Sequence, residues 1–219
     1  MAKCNFTLFK GDKKLMVQIK IENNVNGIEG LTIISPTVHK DMRGYFMETY
    51  SKRDLLEFGI ETDFVQDNQS YSTKGILRGL HFQKLYPQTK LIRVITGCIY
   101  SVAVDLRVQS LTYGKWYGVV LDNINHKQFL IPKGFAHGFL VLSNEAIMCY
   151  KCDEFYHPED ETGIIWNDPD INIEWKGVEK KKSCEEYVLD DGSPIILSAR
   201  DSSFKFFKDL EQRKKSSNI

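Results

Sequence analysis

Leu91-Ile-Arg-Val-Ile-Thr-Gly-Cys-Ile-Tyr-Ser-Val-Ala-Val-Asp-Leu106 holds two short apolar runs, Leu91–Ile95 and Ile99–Leu106, parted by a turn at Gly97. Runs of this length between turn residues are strand-like rather than helical. The same cadence continues outward. Leu31–Ile34, Tyr45–Tyr50, Phe64–Val65 and Ile76–Phe82 precede the stretch, and Trp116–Leu121, Gln128–Ile131, Phe139–Leu142 and Ile147–Phe155 follow it. Many short, evenly spaced strands predict an all-β sandwich or barrel. Helix signals occur twice: at Ser51–Phe58, where Ser51 and Asp54 have capping-box spacing and Gly59 is a stop, and in a stretch opening at Ser198.

The chain has 219 residues, and 42% of them are hydrophobic, enough for one substantial core. Lys+Arg and Asp+Glu both number 29, so no global positive field exists to hold nucleic acid or an anionic membrane. Any phosphate must be met by a local basic cluster. The first residues, MAKCNFTLFKGDKK, lack signal-peptide order, and no apolar run reaches the ~20 residues of a membrane span. Cys4, Cys98, Cys149, Cys152 and Cys184 make an odd count without framework spacing, which predicts a reducing, cytoplasmic compartment. The expected organisation is an N-terminal extension over 1–26, a barrel over 27–176, and an appendage over 177–219 with a short helix packed on the barrel. Lys180–Lys182 is expected in a solvated loop leading to the polar tail EQRKKSSNI.

Gly75-Ile-Leu-Arg-Gly-Leu-His-Phe-Gln83 sets Arg78 and His81 among apolar neighbours, where both need partners. Their odd spacing sends them to opposite faces of a regular strand, so lining one cavity together would require a bulge, most naturally at Gly79. A hydrogen-bonded core histidine is the bland alternative for His81. Pro132-x-Gly134-x-x-His137 resembles the second conserved motif of the cupin superfamily of small β-barrels. Metal-binding cupins have H-x-H in the first motif, but His81-Phe82-Gln83 stands here, leaving two histidines where a transition metal wants three or four ligands. If Ile147–Tyr156 is a strand, Cys149 and Cys152 face opposite ways, while Tyr150 and Tyr156 share a face ~20 Å apart. Asp201, three residues after Ser198, reads equally as a helix N-terminal carboxylate and as a catalytic one.

Asp41-x-Arg-Gly-x-Phe-x-Glu48, Phe64-Val-Gln-Asp-Asn68, Leu77-Arg-Gly-Leu-His-Phe-Gln83, Lys90-Leu-Ile-Arg93, Val102-Ala-Val-Asp-Leu-Arg107, Ile131-Pro-x-Gly-Phe-Ala-His-Gly-Phe139 and Tyr150-Lys151 with Tyr156 and Pro158 resemble the dTDP-4-dehydrorhamnose 3,5-epimerase family in order and spacing. The resemblance runs from about Ile28 to Trp175. It implies a double-stranded β-helix, the cupin jelly-roll barrel, with short flanking helices, a homodimer, and neither metal nor redox cofactor. The implied reaction inverts C3 and C5 of a dTDP-4-keto-6-deoxyhexose through an enolate, by general acid–base catalysis.

Carried over by motif, His81 is the base, Tyr150 the acid, Lys90 the cation beside the C4 oxygen, and Asp201 the carboxylate orienting the base. Arg43, Glu48, Gln66, Asp67, Asn68, Arg78, His137, Glu161 and Arg200 match substrate-contacting positions, with Tyr156 stacking on the nucleobase. Ser101 departs from the family, which usually has an acidic residue there, and Arg200 replaces a usual lysine. A mono-epimerase, a 3,4-ketoisomerase on a related sugar and a sugar-binding cupin without turnover are the alternatives.

Overall fold

The computed structural model describes residues 17–181 and 186–210, so the expectations on Cys4, Cys184 and the polar tail fall outside it. The first strands are β1 (Ile19–Asn23), β2 (Thr32–Pro36), β3 (Val38–Asp41), β4 (Gly44–Met47) and β5 (Gln66–Thr73). The chain continues with β6 (Leu77–Gln83), β7 (Lys90–Thr96), β8 (Cys98–Asp105), β9 (Trp116–Asp122) and β10 (Gln128–Ile131). It ends with β11 (Phe135–Val141), β12 (Glu145–Cys152), β13 (Glu161–Gly163), β14 (Val178–Lys180) and β15 (Tyr187–Leu189). One sheet has the order β1-β2-β10-β7-β12-β5 and the other β13-β6-β11-β8-β9, while β3-β4 and β14-β15 are separate hairpins. This is the all-β architecture expected from the strand cadence and the jelly-roll barrel implied by the family resemblance. No helix among the described residues is long and apolar enough to cross a membrane.

Three apolar layers hold the sheets. Ile92, Val94, Ile99, Ala103, Phe129, Phe135 and Phe139 fill the space between them. On the outer face of the second sheet, Tyr100, Val102, Val104 and Leu140 pack on Trp166, Trp175 and Leu189 from the later part of the chain. On the outer face of the first, Ile34, Leu91 and Leu130 pack on Leu55 of helix α1 (Lys52–Glu57). A strand covered on both faces reads as a continuous apolar run, which is why β8 coincides with the run Ile99–Leu106.

Both helix signals form helices. Ser51 caps α1 by accepting a hydrogen bond from Asp54 N at 3.3 Å, and Ser198 caps α2 (Ala199–Ser202) by accepting one from Asp201 N at 3.0 Å. Two expectations are corrected. The solvated loop around Lys180 begins as β14, paired with β15. The strand read as Ile147–Tyr156 ends at Cys152, because the chain turns away at Asp153, whose carboxylate and backbone N–H both bond to Thr89.

Candidate active site

Arg78 and His81 do line one cavity, and a bulge achieves it. His137 of β11 pairs with His81, yet Phe139 pairs with Arg78, so three steps along β6 (81 − 78) match two along β11 (139 − 137). The extra residue falls at Gly79–Leu80. Gly79 has φ +129°, and a Cβ there would lie 2.5 Å from Gly138 Cα and 2.9 Å from the His137 carbonyl oxygen. These are backbone atoms that cannot step aside. Gly79→Ala is therefore expected to destabilise the fold by about 2–4 kcal/mol, a fall in Tm of roughly 5–15 °C for a chain of this size. Thermal melts check this; an unchanged Tm would mean that β6 re-forms without the bulge.

The bulge also frees the Gly79 N–H, which donates to Asp201 Oδ2 at 3.1 Å. Asp201 Oδ1 lies 2.9 Å from His81 Nε2. Nδ1 of His81 has no hydrogen-bond partner among the described residues and is left for the cavity. Burial alone would raise the Asp201 pKa, but the His81 ring, the Gly79 N–H and Ser198 together bring it below the usual carboxylate value. Asp201 is thus an ionised, buried carboxylate on a histidine, the arrangement that fixes a ring's tautomer and stabilises its protonated form. Asp201 does stand in the first turn of α2, where its N–H donates to Ser198 Oγ, but its carboxylate turns to Gly79 and His81 and not to the first-turn amides.

From the facing sheet, Tyr150 on β12 and Lys90 on β7 line the same cavity, which measures about 280 Å³. Burial, with added effect from Cys152 and Glu161, pushes the Tyr150 phenol up to about 12, so it keeps its proton at neutral pH. Burial pulls the Lys90 ammonium below its ordinary value. It has no ion-pair partner among the described residues, which suits a cation awaiting a developing negative charge. His137, paired with His81 on the second sheet, also lines the cavity, its Nε2 2.9 Å from Ser101 Oγ.

Gln66, Asn68, Arg78, Tyr156, Glu161 and Arg200 line it as well. Tyr156 reaches it from the loop beyond β12 and not by strand parity. Its N–H donates to Gln66 Oε1 at 3.0 Å and its hydroxyl to Glu161 Oε2 at 3.0 Å. Glu161 also pairs with Arg200, which ties the guanidinium beside His81. Three residues matched by motif lie elsewhere. Asp67 points away on β5 and pairs with Lys151 at 2.7 Å. Arg43 sits on the β3-β4 hairpin, 86% exposed and paired with Asp41, and Glu48 follows that hairpin; neither lines the cavity.

Sequence reasoning did not single out Ser70, whose buried hydroxyl lines the cavity with no hydrogen-bond partner among the described residues. The signal was available: Gln66, Asn68 and Ser70 alternate along β5, so one polar face is implied once 66–73 is known to be a strand. A larger hollow of about 410 Å³ adjoins the cavity at Gln88 and Lys90. Phe82, Pro87, Leu106, Tyr113 and Phe135 make it apolar, and it has no acid–base pair. Cys149 and Cys152 do face apart, Cys149 toward Gln69 and Cys152 toward Asn68.

Comparison with known proteins points the same way. A relative from Methanothermobacter thermautotrophicus, a dTDP-4-dehydrorhamnose 3,5-epimerase, is 58% identical over 178 residues, covering 81% of this chain and 90% of that protein. The crystal structure of a dTDP-6-deoxy-D-glucose-3,5-epimerase from Legionella pneumophila, in complex with dTDP-4-keto-L-rhamnose, is similar at 42% identity and TM-score 0.78, covering 89% of this chain and 96% of that one. A dTDP-4-dehydrorhamnose 3,5-epimerase from Bacillus anthracis with TDP and pyrophosphate bound is similar at 39% identity and TM-score 0.75, covering 86% and 100%. The sequence model described as dTDP-4-dehydrorhamnose 3,5-epimerase matches residues 26–209, nearly the whole described barrel and its appendage. The chain therefore belongs to the dTDP-4-dehydrorhamnose 3,5-epimerase family.

Proposed function

We propose that the protein inverts C3 and C5 of a dTDP-4-keto-6-deoxyhexose, the step expected of an enzyme of deoxysugar and cell-surface polysaccharide biosynthesis. The observation that carries this reading is an imidazole and a phenol, from facing sheets, lining one cavity with an ammonium that is unpaired among the described residues. Both carbons are α to the C4 ketone, so each inversion is a deprotonation and a reprotonation on the other face. His81 removes the proton, Lys90 faces the oxygen on which charge develops, and Tyr150 returns a proton. Asp201 holds the base in its working tautomer.

The cavity is at the small end for a ligand pocket, so it suits the sugar, with the nucleotide lying along the rim beside Tyr156. Arg78 and Arg200 supply local positive charge for the diphosphate. In deuterated water, the enzyme is expected to exchange hydrogen at both C3 and C5 of the dTDP-sugar, followed by NMR. No incorporation at either carbon would overturn the reading; exchange at one would make it a mono-epimerase, and a carbonyl moved off C4 a ketoisomerase.

The homodimer supplies a place for Arg43 and Glu48. The β3-β4 hairpin joins no other sheet and carries Met42, Tyr45 and Phe46 exposed, an apolar surface suited to a second copy whose rim Arg43 would reach. Mixing inactive Arg43→Ala with inactive His81→Ala is then expected to restore roughly a quarter of wild-type activity, since each mixed dimer holds one intact site. Absence of recovery after confirmed subunit exchange would place Arg43 in its own chain's function. Cytoplasmic placement accords with Cys98, Cys149 and Cys152 standing as free thiols.

A further inference from the structure

Ser101 is fully buried on β8, and its Oγ lies 2.9 Å from Nε2 of His137, itself buried on the neighbouring β11. Among the described residues this is the only side-chain hydrogen bond that Ser101 makes. A buried hydroxyl proton without an acceptor is costly, so the proton must point at Nε2, which must then be the unprotonated nitrogen. The remaining proton of the ring sits on Nδ1, for which no acceptor exists among the described residues.

The charges around the ring agree with an uncharged imidazole. Lys90 faces it from β7 and His81 from β6, and Arg78 lines the same cavity. Glu161, the cavity's carboxylate, is engaged by Arg200 and Tyr156. Burial first, then Lys90 and His81, hold His137 well below the usual histidine value. A serine hydroxyl brings no negative charge to offset this, as a carboxylate at 101 would.

We propose that Ser101 is a positioning residue that locks His137 as a neutral Nδ1–H donor, aimed at an oxygen of the bound sugar. This rests on the epimerase reading for the identity of the sugar, but not for the tautomer. Positive charge beside the C4 oxygen then comes from Lys90 on the facing sheet, and His137 contributes direction without competing for the proton that His81 and Tyr150 move.

Side-chain ¹⁵N–¹H correlation spectra of the wild-type protein test this directly, with His137 signals assigned by their loss in His137→Gln. The expected ring is neutral, protonated at Nδ1, and unchanged from about pH 5.5 to about pH 8.5. An Nε2–H tautomer, or titration within that range, would overturn the proposal whatever the enzyme's substrate proves to be. Ser101→Ala is expected to mix the tautomers and lower kcat/KM about tenfold while leaving exchange at both carbons; a pure Nδ1–H ring with undiminished kcat/KM in that variant would overturn it. Ser101→Asp is expected to bring a His137 titration into the neutral range, and a ring still silent there would count against the electrostatic argument. Failure of isotope exchange in the wild type would instead remove the epimerase reading.

Discussion

Replacing His81 with alanine should lower turnover by at least the ~10²–10⁴-fold that a positioned general base contributes. The loss belongs to kcat, because the ring is directed chiefly by Asp201 at 2.9 Å and packs edge-on against Phe204 at 5.5 Å, and its removal leaves Arg78 and Arg200 in place for the diphosphate. Substrate affinity, carried by Arg78, Arg200 and the aromatic rim, should change far less. Solvent deuterium incorporation at C3 and C5 measures the proton-removal step itself, and normal incorporation would remove His81 from the role of base. The variant leaves Asp201 with its Gly79 N–H bond at 3.1 Å, so the carboxylate is not orphaned and the fold should survive.

Tyr150→Phe should impair reprotonation by about 10²-fold or more while leaving binding within a few-fold. With the proton donor gone but His81 intact, the enolate can recover a proton only from the face it lost one. The expected signature is therefore deuterium exchange that outpaces inversion, read by comparing label incorporation with product configuration in one NMR time course. Equal loss of exchange and inversion would assign Tyr150 to binding, and normal inversion would refute the acid role. The elevated phenol pKa of about 12 adds a pH statement. Tyr150 remains protonated throughout the neutral and mildly alkaline range, so its deprotonation should not limit activity there. A loss of wild-type turnover between about pH 8 and 10 must come from another group, and Lys90, whose ammonium is lowered by burial, is the one to examine.

Legibility followed burial. Strand β8, covered on both faces, spelled itself out as the apolar run Ile99–Leu106. Strand β5, Gln-Asp-Asn-Gln-Ser-Tyr-Ser-Thr over 66–73, did not, because its inward face meets a polar cavity and offers no hydrophobic alternation. That concealment is also why Ser70 was overlooked. The bulge in β6 was anticipated from the odd spacing of Arg78 and His81, since two groups needing one cavity across three residues demand an extra residue and glycine is the residue that tolerates it. Tyr156 reached its cavity by a different route from the one parity suggested, a loop pinned by Gln66 and Glu161.

The all-β class, the two caps at Ser51 and Ser198, the family, and the residue types available for proton transfer are written along the chain, because periodicity, capping and motif order are local properties. Which of those residues meet depends on the folded arrangement. Asp201 lies 120 positions from His81, and no local rule distinguishes a helix-capping carboxylate from one that reaches across to a strand. The same holds for Ser101 on His137, for Tyr150 facing His81 from the other sheet, and for Arg43, whose hairpin carries it away from the cavity its motif suggested. Partnership between distant side chains is set by how two sheets close over a shared core, and that closure is a property of the whole chain.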